Sequence, residues 1–306
     1  MSNRFLVIYN TCGISGRDNS DRYLECIQTI VDQLGNKDDK FIVSSCLNPG
    51  YQLEKIFKTF GNRVTINAIL DKLPVNITCN HSAKLGHKLF GDFEGYIYID
   101  SGCSLDDNRI FNRMHEKLIT GEYGMVTCPT DSDNAFENYY GWYFPPHDFI
   151  VPIGKACNLH VSLVSKLFFD SYNQSILPDV FGSTCSESVL SFLNAAIGKK
   201  WLIAANMISH HRHSMDLASS GFINDPNAGW NHTVFSPRSM IEICQDPEGT
   251  ACGFGYEECN GIKMHDPNQF DGYCAKQPER LRKFILDNIF IHKPYFDYDK
   301  INHEVI

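Results

Sequence analysis

Residues Tyr96 to Asp107 read YIYIDSGCSLDD. Two tyrosines and two isoleucines alternate, then run directly into an acidic residue, Asp100, followed by Ser101 and Gly102. Aromatic and β-branched side chains suit a pleated, buried strand. A buried strand that ends on a carboxylate delivers it where open α/β sheets collect ligands. A carboxylate is a hard donor that suits Mg²⁺ or Mn²⁺, and such a cation suits a diphosphate. The other reading of Asp100 is a side chain that caps the turn begun by Ser101 and Gly102. The flanking sequence has to decide between the two.

Upstream, strand and helix signals alternate. Arg4–Asn10 (RFLVIYN) predicts a strand. Asp21–Leu34 sets Tyr23, Cys26, Ile27, Ile30, Val31 and Leu34 on one face at helical spacing, and Gly35 follows as a stop. Lys40–Ser45 predicts a second strand. Leu53–Phe60 predicts a short helix with Leu53, Ile56, Phe57 and Phe60 inward, ended by Gly61. Val64–Leu70 predicts a third strand, Asn80–Phe90 a helix with Asn80 or His81 near its N-cap, and Gly95–Asp100 the fourth strand. This order predicts an α/β fold with a mostly parallel central sheet, right-handed crossovers and flanking helices. The crevice then lies at the strands' C-terminal ends, which carry Tyr9, Asn10 and Thr11, Ser44 and Ser45, Asp71, and Asp100. The loop after the first strand, TCGISGRDNS, lacks the GxGxxG spacing, and no GxxxxGK[ST] occurs. The key loop is therefore unlike that of a dehydrogenase or a P-loop NTPase.

The second half is less regular. Asn108–Thr120 predicts an amphipathic helix through Ile110, Phe111, Met114 and Leu118, and Tyr123–Cys128 a strand stopped by Pro129. Asn134–His147 is aromatic and turn-rich; Tyr139, Tyr140 and Trp142 there either stack on a ligand or cover the core. Helices are expected over Val161–Tyr172 and Ser183–Ile197, the latter capped by Gly198, and a strand over Trp201–Ile208 leading to Ser209, His210 and His211. Residues 212–275 are rich in Gly, Asn, Asp and Pro, a length that suggests a lid or binding loop, with Trp230 and Phe254 as its aromatic members. Leu281–Ile291 predicts a last amphipathic helix.

The composition is that of a globular chain: 306 residues, 43% hydrophobic and 21% charged. A net charge of −9 disfavours nucleic acid as a partner. Any bound phosphate must be held locally by backbone N–H groups, a few basic residues or a metal. No apolar run approaches the roughly 20 residues that span a bilayer, and the N-terminus lacks a signal-peptide pattern. The expectation is a cytoplasmic protein, with attachment to a membrane surface left open. Of 12 cysteines, Cys26, Cys46, Cys128 and Cys157 sit in apolar runs, as buried thiols of a reducing compartment do. Cys244, Cys252, Cys259 and Cys274 are spaced without a CxxC pair, a weak signal for zinc or a disulfide.

Three chemical groups now share one pattern, each standing where an element ends: Asp100 after the fourth strand, Glu187 in the first turn of GSTCSESVLSFLNAAIGKKW, and His210 after WLIAANMIS. In this order of parts the chain, over roughly residues 4 to 213, resembles the GT-A fold nucleotide-sugar glycosyltransferases, similar to the large family-2-like group. VIYNTCG stands for the family's opening strand and its nucleoside-contacting segment. Asp100-Ser101-Gly102 stands for Asp-x-Asp, Ser186-Glu187-Ser188 for the Glu-Asp pair of the acceptor-side helix, and IAANMISHH for the strand and histidine that follow. Two departures are plain: Gly102 replaces the second Asp, and one acid replaces Glu-Asp.

The resemblance implies a Rossmann-like nucleotide-sugar-binding half over 1–107 and an acceptor-binding half over 108–306, continuous in one domain. It implies transfer of a sugar from a nucleoside-diphosphate sugar, UDP by default, to a hydroxyl of a glycan, lipid-linked or protein-linked acceptor. A divalent Mn²⁺ or Mg²⁺ is implied, on Asp100 with His210; Asp106 or Asp107 substituting for the lost acid, or a metal-free enzyme, are the alternatives. Tyr9, Asn10, Thr11, Arg17, Ser45, Asp71, Lys84 and Ser101 are the expected donor-binding residues, with Arg17, Lys84 and Arg212 the basic groups near the diphosphate. Glu187 is the expected catalytic base, because the attacking hydroxyl must lose a proton, and a single base opposite the leaving group implies inversion. Each has a bland counterpart. Glu187 would merely favour its helix dipole, His210 would be an ordinary surface histidine, and Asn10, Thr11 and Asp71 would turn the chain. The competing functions are a non-catalytic nucleotide- or sugar-binding protein on the same fold and a zinc-dependent binding module.

Overall fold

A computed structural model of the chain describes residues 3–13, 19–35, 38–71, 73, 75–105, 107, 109–130, 148–151, 159–177, 186–205, 207–211, 257–259, 262–264 and 297–306. Strand β1 (Asn3–Cys12), helix α1 (Ser20–Gln33), β2 (Lys40–Cys46), α2 (Gly50–Phe60), β3 (Thr65–Ile69), α3 (Val75–Phe90) and β4 (Phe93–Ile99) alternate as expected. They are followed by β5 (Cys103–Leu105), α4 (Ile110–Leu118), β6 (Tyr123–Cys128), β7 (Phe149–Ile150), β8 (Val161–Ser165), α5 (Lys166–Ser171), α6 (Ser186–Ala196), β9 (Lys200–Ile203) and β10 (Ser209–His211). A hairpin pairs β11 (Glu257–Cys259) with β12 (Ile262–Met264), and β13 (His303–Val305) ends the chain.

The large sheet runs β13-β3-β2-β1-β4-β8-β6-β9-β7. β3, β2, β1 and β4 are mutually parallel, as are β6 and β9, while β8 runs antiparallel between β4 and β6. The fold is therefore mixed α/β with a mostly parallel centre. The alternation of strand side chains builds two cores. On one face Leu6, Ile8, Ile42, Tyr96 and Tyr98 pack with α3, α5 and α6. On the other, Phe5, Val7, Tyr9, Val43 and Ile97 pack with α1, α2 and α4. Among the described residues no helix is long and apolar enough to cross a membrane.

Several elements differ from expectation. Val161–Ser165 is a strand, not the start of a helix. A short apolar run does not by itself distinguish the two, and here β4 and β6 flank it on both sides. The Ser165 hydroxyl then accepts the Phe168 N–H at 3.1 Å, so the helix begins only at Lys166. α3 begins at Val75, ahead of the expected Asn80, although its first turns are polar and β-branched. Tertiary partners satisfy them: Asn80 Oδ1 accepts from the N–H groups of Ile176 and Leu177, and its amide donates to the Tyr298 hydroxyl. Phe57, expected inward, is 46% exposed. The strand expected over Trp201–Ile208 stops at Ile203, where the Met207 N–H bonds the Ala204 carbonyl and turns the chain into β10. β13, with no counterpart in the sequence reading, adds an antiparallel edge to β3. The expected helix at 281–291 and the aromatic loop at 134–147 lie outside the described residues.

Candidate active site

β4 ends at Ile99, so Asp100 stands at the C-terminal edge of the parallel sheet. The chain turns there: the Cys103 N–H bonds the Asp100 carbonyl at 3.2 Å, and Gly102 has φ +84°. A positive φ at the third residue is the signature of a type II turn, which favours glycine. A side chain at position 102 would be strained in that conformation. The turn is anchored from below. The Tyr9 hydroxyl accepts the Gly102 N–H at 3.2 Å, and burial holds that phenol well above its ordinary pKa. Tyr9 is fully buried, so its side chain offers no surface to a ligand. The Tyr9 side chain supports the Asp100 turn from below.

Asp100 itself is positioned by two contacts. Oδ1 accepts the Ser101 N–H at 2.9 Å, and Oδ2 lies 3.2 Å from His160 Nδ1. The Asp100 N–H also donates to the His160 carbonyl at 2.7 Å. The carboxylate remains 30% exposed, within reach of a ligand. His160 was missed because the run after it reads as helix; it immediately precedes β8, whose Val161 pairs with Ile99, so it stands beside Asp100 at the end of β4. Tyr98 lies on the same side of the edge, its hydroxyl against Asp100 and Asn10, and burial first and the Asp100 charge second push its pKa well above the ordinary value. Asn10, 4% exposed, completes no hydrogen bond with either side-chain atom among the described residues, despite the nearby phenol. A buried polar group left without a hydrogen bond costs about 1–3 kcal/mol.

Thr11 and Ser45, at adjacent positions of β1 and β2, both donate to Asn48 Oδ1 at 2.9 Å, and Asn48 Nδ2 donates to Gln52 Oε1 at 2.9 Å. Asn48 and Gln52 were not singled out from sequence, where NPGYQ reads as a plain turn. Asp71 ends up beside β13: its Oδ2 accepts the Asn302 N–H at 2.7 Å. This contact holds the C-terminal segment against the edge of β3.

His210 lies on β10, which pairs antiparallel with β5 so that His210 faces Ser104 and His211 faces Cys103. The backbone thus brings the histidine segment beside the chain that leaves the Asp100 turn. Glu187 falls in the first turn of α6. α6 ends in a tight turn at Gly198, φ +70°, and β9 then begins with Lys200 opposite Tyr123, where the parallel strands start. The helix start, Glu187 included, therefore faces the opposite end of the sheet, the end that carries Asp100.

Two expected groups lie elsewhere. Lys84 is nine residues into α3, roughly 13 Å along its axis from the start. Its ammonium bonds the Asn173 carbonyl and lies 4.9 Å from the centre of the Tyr298 ring, so it is spent on tertiary packing rather than the edge. Asp107 accepts the Arg109 N–H and pairs with Arg113 at 2.8 Å, which ties it to α4 rather than to Asp100. Arg17, Asp106, Tyr139, Tyr140, Trp142, Cys157, Arg212, His213, Trp230, Cys244, Cys252, Phe254 and Cys274 lie outside the described residues. Cys259 ends β11. Among the described residues no group of three His, Cys, Asp or Glu side chains could hold a metal ion by protein ligands alone.

No protein-family model matches the sequence, and no curated protein matches it. Solved structures do. The mannosyltransferase PcManGT from Pyrobaculum calidifontis, in complex with GDP-Man and Mn²⁺, superposes with a TM-score of 0.54 at 10% identity, over 98% of this chain and 78% of that one. Staphylococcus aureus TarS 1-349 gives 0.48 at 12% identity, over 80% and 76% of the two chains. The catalytic domain of Drosophila β1,4-galactosyltransferase 7 in complex with xylobiose gives 0.38 at 9% identity, over 67% and 66%. The likeness to the mannosyltransferase shows the fold: this chain has a GT-A-like glycosyltransferase fold.

Proposed function

We propose that the protein is a glycosyltransferase that moves a sugar from a nucleoside-diphosphate sugar to a hydroxyl of a glycan or glycoconjugate, with inversion. The observation that supports this reading is that one sheet edge carries both the reachable Asp100 carboxylate and the buried Asn10 amide, which completes no hydrogen bond among the described residues beyond its contact with the Tyr98 hydroxyl. An anionic, metal-suited group and an amide awaiting a hydrogen-bond partner are what a diphosphate joined to a nucleoside requires. In this reading residues 1–107 hold the donor and 108–306 the acceptor. Asn10, Thr11, Ser45 and Asp71 are the residues assigned to the nucleoside, and Ser101 and Arg17 those assigned to the phosphates. UDP is the first nucleotide to test.

Asp100 is the carboxylate that would hold a divalent cation, with His210 as the second protein donor. One carboxylate completed by substrate phosphate oxygens is a donor set that Mg²⁺ commonly uses. When bound, the cation neutralises charge on the leaving diphosphate. Glu187 takes the proton of the acceptor hydroxyl as its oxygen bonds to the anomeric carbon and the bond from that carbon to the phosphate oxygen breaks. Attack on the face opposite the leaving group inverts the anomeric centre.

The test is a thermal-shift panel of UDP-, GDP-, CMP- and dTDP-sugars with and without Mn²⁺. A donor at about 100 times its dissociation constant stabilises by roughly 2.7 kcal/mol. The Asn10→Ala variant should lose about tenfold in affinity for the donor found, while its stability without ligand changes by less than about 1 kcal/mol, since the contact with the Tyr98 hydroxyl is the one the amide gives up among the described residues. No stabilisation by any donor refutes the proposal. Donor binding without transfer to any acceptor points instead to a binding protein on the same fold.

A further inference from the structure

Cys12 and Cys46 are the last residues of β1 and β2 and face each other in register. On β1, Cys12 continues the side of Leu6, Ile8 and Asn10; on β2, Cys46 continues that of Ile42 and Ser44, so both thiols lie on one face. Adjacent strands are ~4.8 Å apart, within the ~4.4–6.8 Å between Cα atoms that a disulfide bridges. Both residues are reduced thiols, and the Cys46 thiol is in hydrogen-bond contact with Cys12. The two strand ends are clamped together. The Gly13 N–H donates to the Cys46 carbonyl at 2.9 Å, and a Cβ at Gly13 would meet the Leu47 carbonyl oxygen at 2.2 Å. Cys12 is partly exposed while Cys46 is 4% exposed, so a small oxidant meets Cys12 first. Cys46 Sγ also reaches the carbonyls of Asp71 and Leu73, at 3.5 and 3.7 Å, in the connection from β3 to α3.

We propose that Cys12 and Cys46 are an oxidisable dithiol that a peroxide converts to a cross-strand disulfide, and that the β3–α3 connection senses the change. The Cys12 sulfur attacks one oxygen of hydrogen peroxide; the O–O bond breaks, leaving a sulfenic acid on Cys12 and releasing water. The Cys46 sulfur attacks that sulfenic sulfur; the S–S bond forms, the S–O bond breaks, and the departing hydroxide takes the Cys46 proton as water. Two thiols lose two electrons, and one peroxide becomes two waters. The disulfide has no S–H, so the single Cys46 hydrogen shared between the carbonyls of Asp71 and Leu73 is lost and those two positions loosen. The cross-link does not depend on the glycosyltransferase function proposed for the site.

The experiment treats the full chain with hydrogen peroxide, blocks remaining thiols by alkylation, and maps an unreduced digest by mass spectrometry, with folding followed by circular dichroism. The expected product joins the peptides of Cys12 and Cys46 and is lighter by two hydrogen atoms. It is absent from Cys12→Ser, and Cys46→Ser leaves Cys12 as an oxyacid. Amide hydrogen exchange at Asp71 and Leu73 should quicken several-fold in the oxidised wild type and not in peroxide-treated Cys12→Ser. Folded protein without the Cys12–Cys46 linkage, or with Cys12 linked elsewhere, overturns the proposal. Unchanged exchange at Asp71 and Leu73 in cross-linked protein overturns the sensing step. A protein that forms the cross-link yet binds no nucleoside-diphosphate sugar keeps this inference and sinks the glycosyltransferase reading alone.

Discussion

Acidification should weaken this fold through one histidine. His81 lies on α3, 6% exposed, with Asn67 Nδ2 3.0 Å from its Nδ1 and the His303 ring of β13 centred 4.4 Å away. An amide nitrogen only donates, so the neutral ring accepts at Nδ1, and protonation there breaks the contact. Burial first and the His303 charge second lower the His81 pKa from 6.5 to about 4. Unfolded chains therefore bind more protons than folded ones between these values, and stability contributed by neutral His81 is complete above pH 6.5 and lost as pH falls towards 4. Linkage between these pKa values gives a loss of about 2 kcal/mol at pH 5 and about 3 kcal/mol once both states are protonated. At about 2 °C per kcal/mol for a chain of this size, the melting temperature should fall by about 4 °C at pH 5 from this group alone. The assay compares unfolding at pH 7.5 and pH 5 for the wild type and for His81→Asn, whose side-chain oxygen keeps an acceptor for Asn67. The variant should lose less stability on acidification by that amount, whatever its stability at pH 7.5. Equal acid losses in the two proteins would refute the reasoning.

Three further outcomes follow from the edge of the sheet. Glu187→Gln should lower the transfer rate by about 10²-fold or more, the usual worth of a general base, while donor affinity measured by calorimetry stays within error; full activity removes Glu187 from the base role. Asp100→Asn should weaken nucleoside-diphosphate binding more with Mn²⁺ present than without, and equal weakening in both titrations argues for a metal-free site. Gly102→Asp places a side chain at φ +84°, so urea unfolding should show a loss of about 1–2 kcal/mol; an unchanged midpoint contradicts the strain expected of a side chain in this turn.

The alternating strand and helix signals up to Asp100 carried the first part of the fold, because each element there has one apolar face whose period is readable locally. α1 is the clearest case: Tyr23, Cys26, Ile27, Ile30 and Val31 are all buried, as their spacing requires. β8 was not readable, because a strand buried between two others shows an apolar run rather than a period. The early start of α3 was hidden for the opposite reason. Asn80, near its polar start, is held by Ile176, Leu177 and Tyr298, residues distant in sequence.

The same division holds at the site. The sequence alone determined that Asp100 ends a strand of a parallel sheet, since YIYID states both the strand and its end. Which groups meet Asp100 was decided only by the tertiary structure. His160 arrives through an antiparallel strand 60 positions away, and Tyr9, a residue of the strand end, turns inward to hold Gly102. Lys84 has the charge expected beside a diphosphate, yet the helix carries it to Asn173 and Tyr298. Residue type and local period specify what a side chain can do; strand order and helix direction specify what it meets.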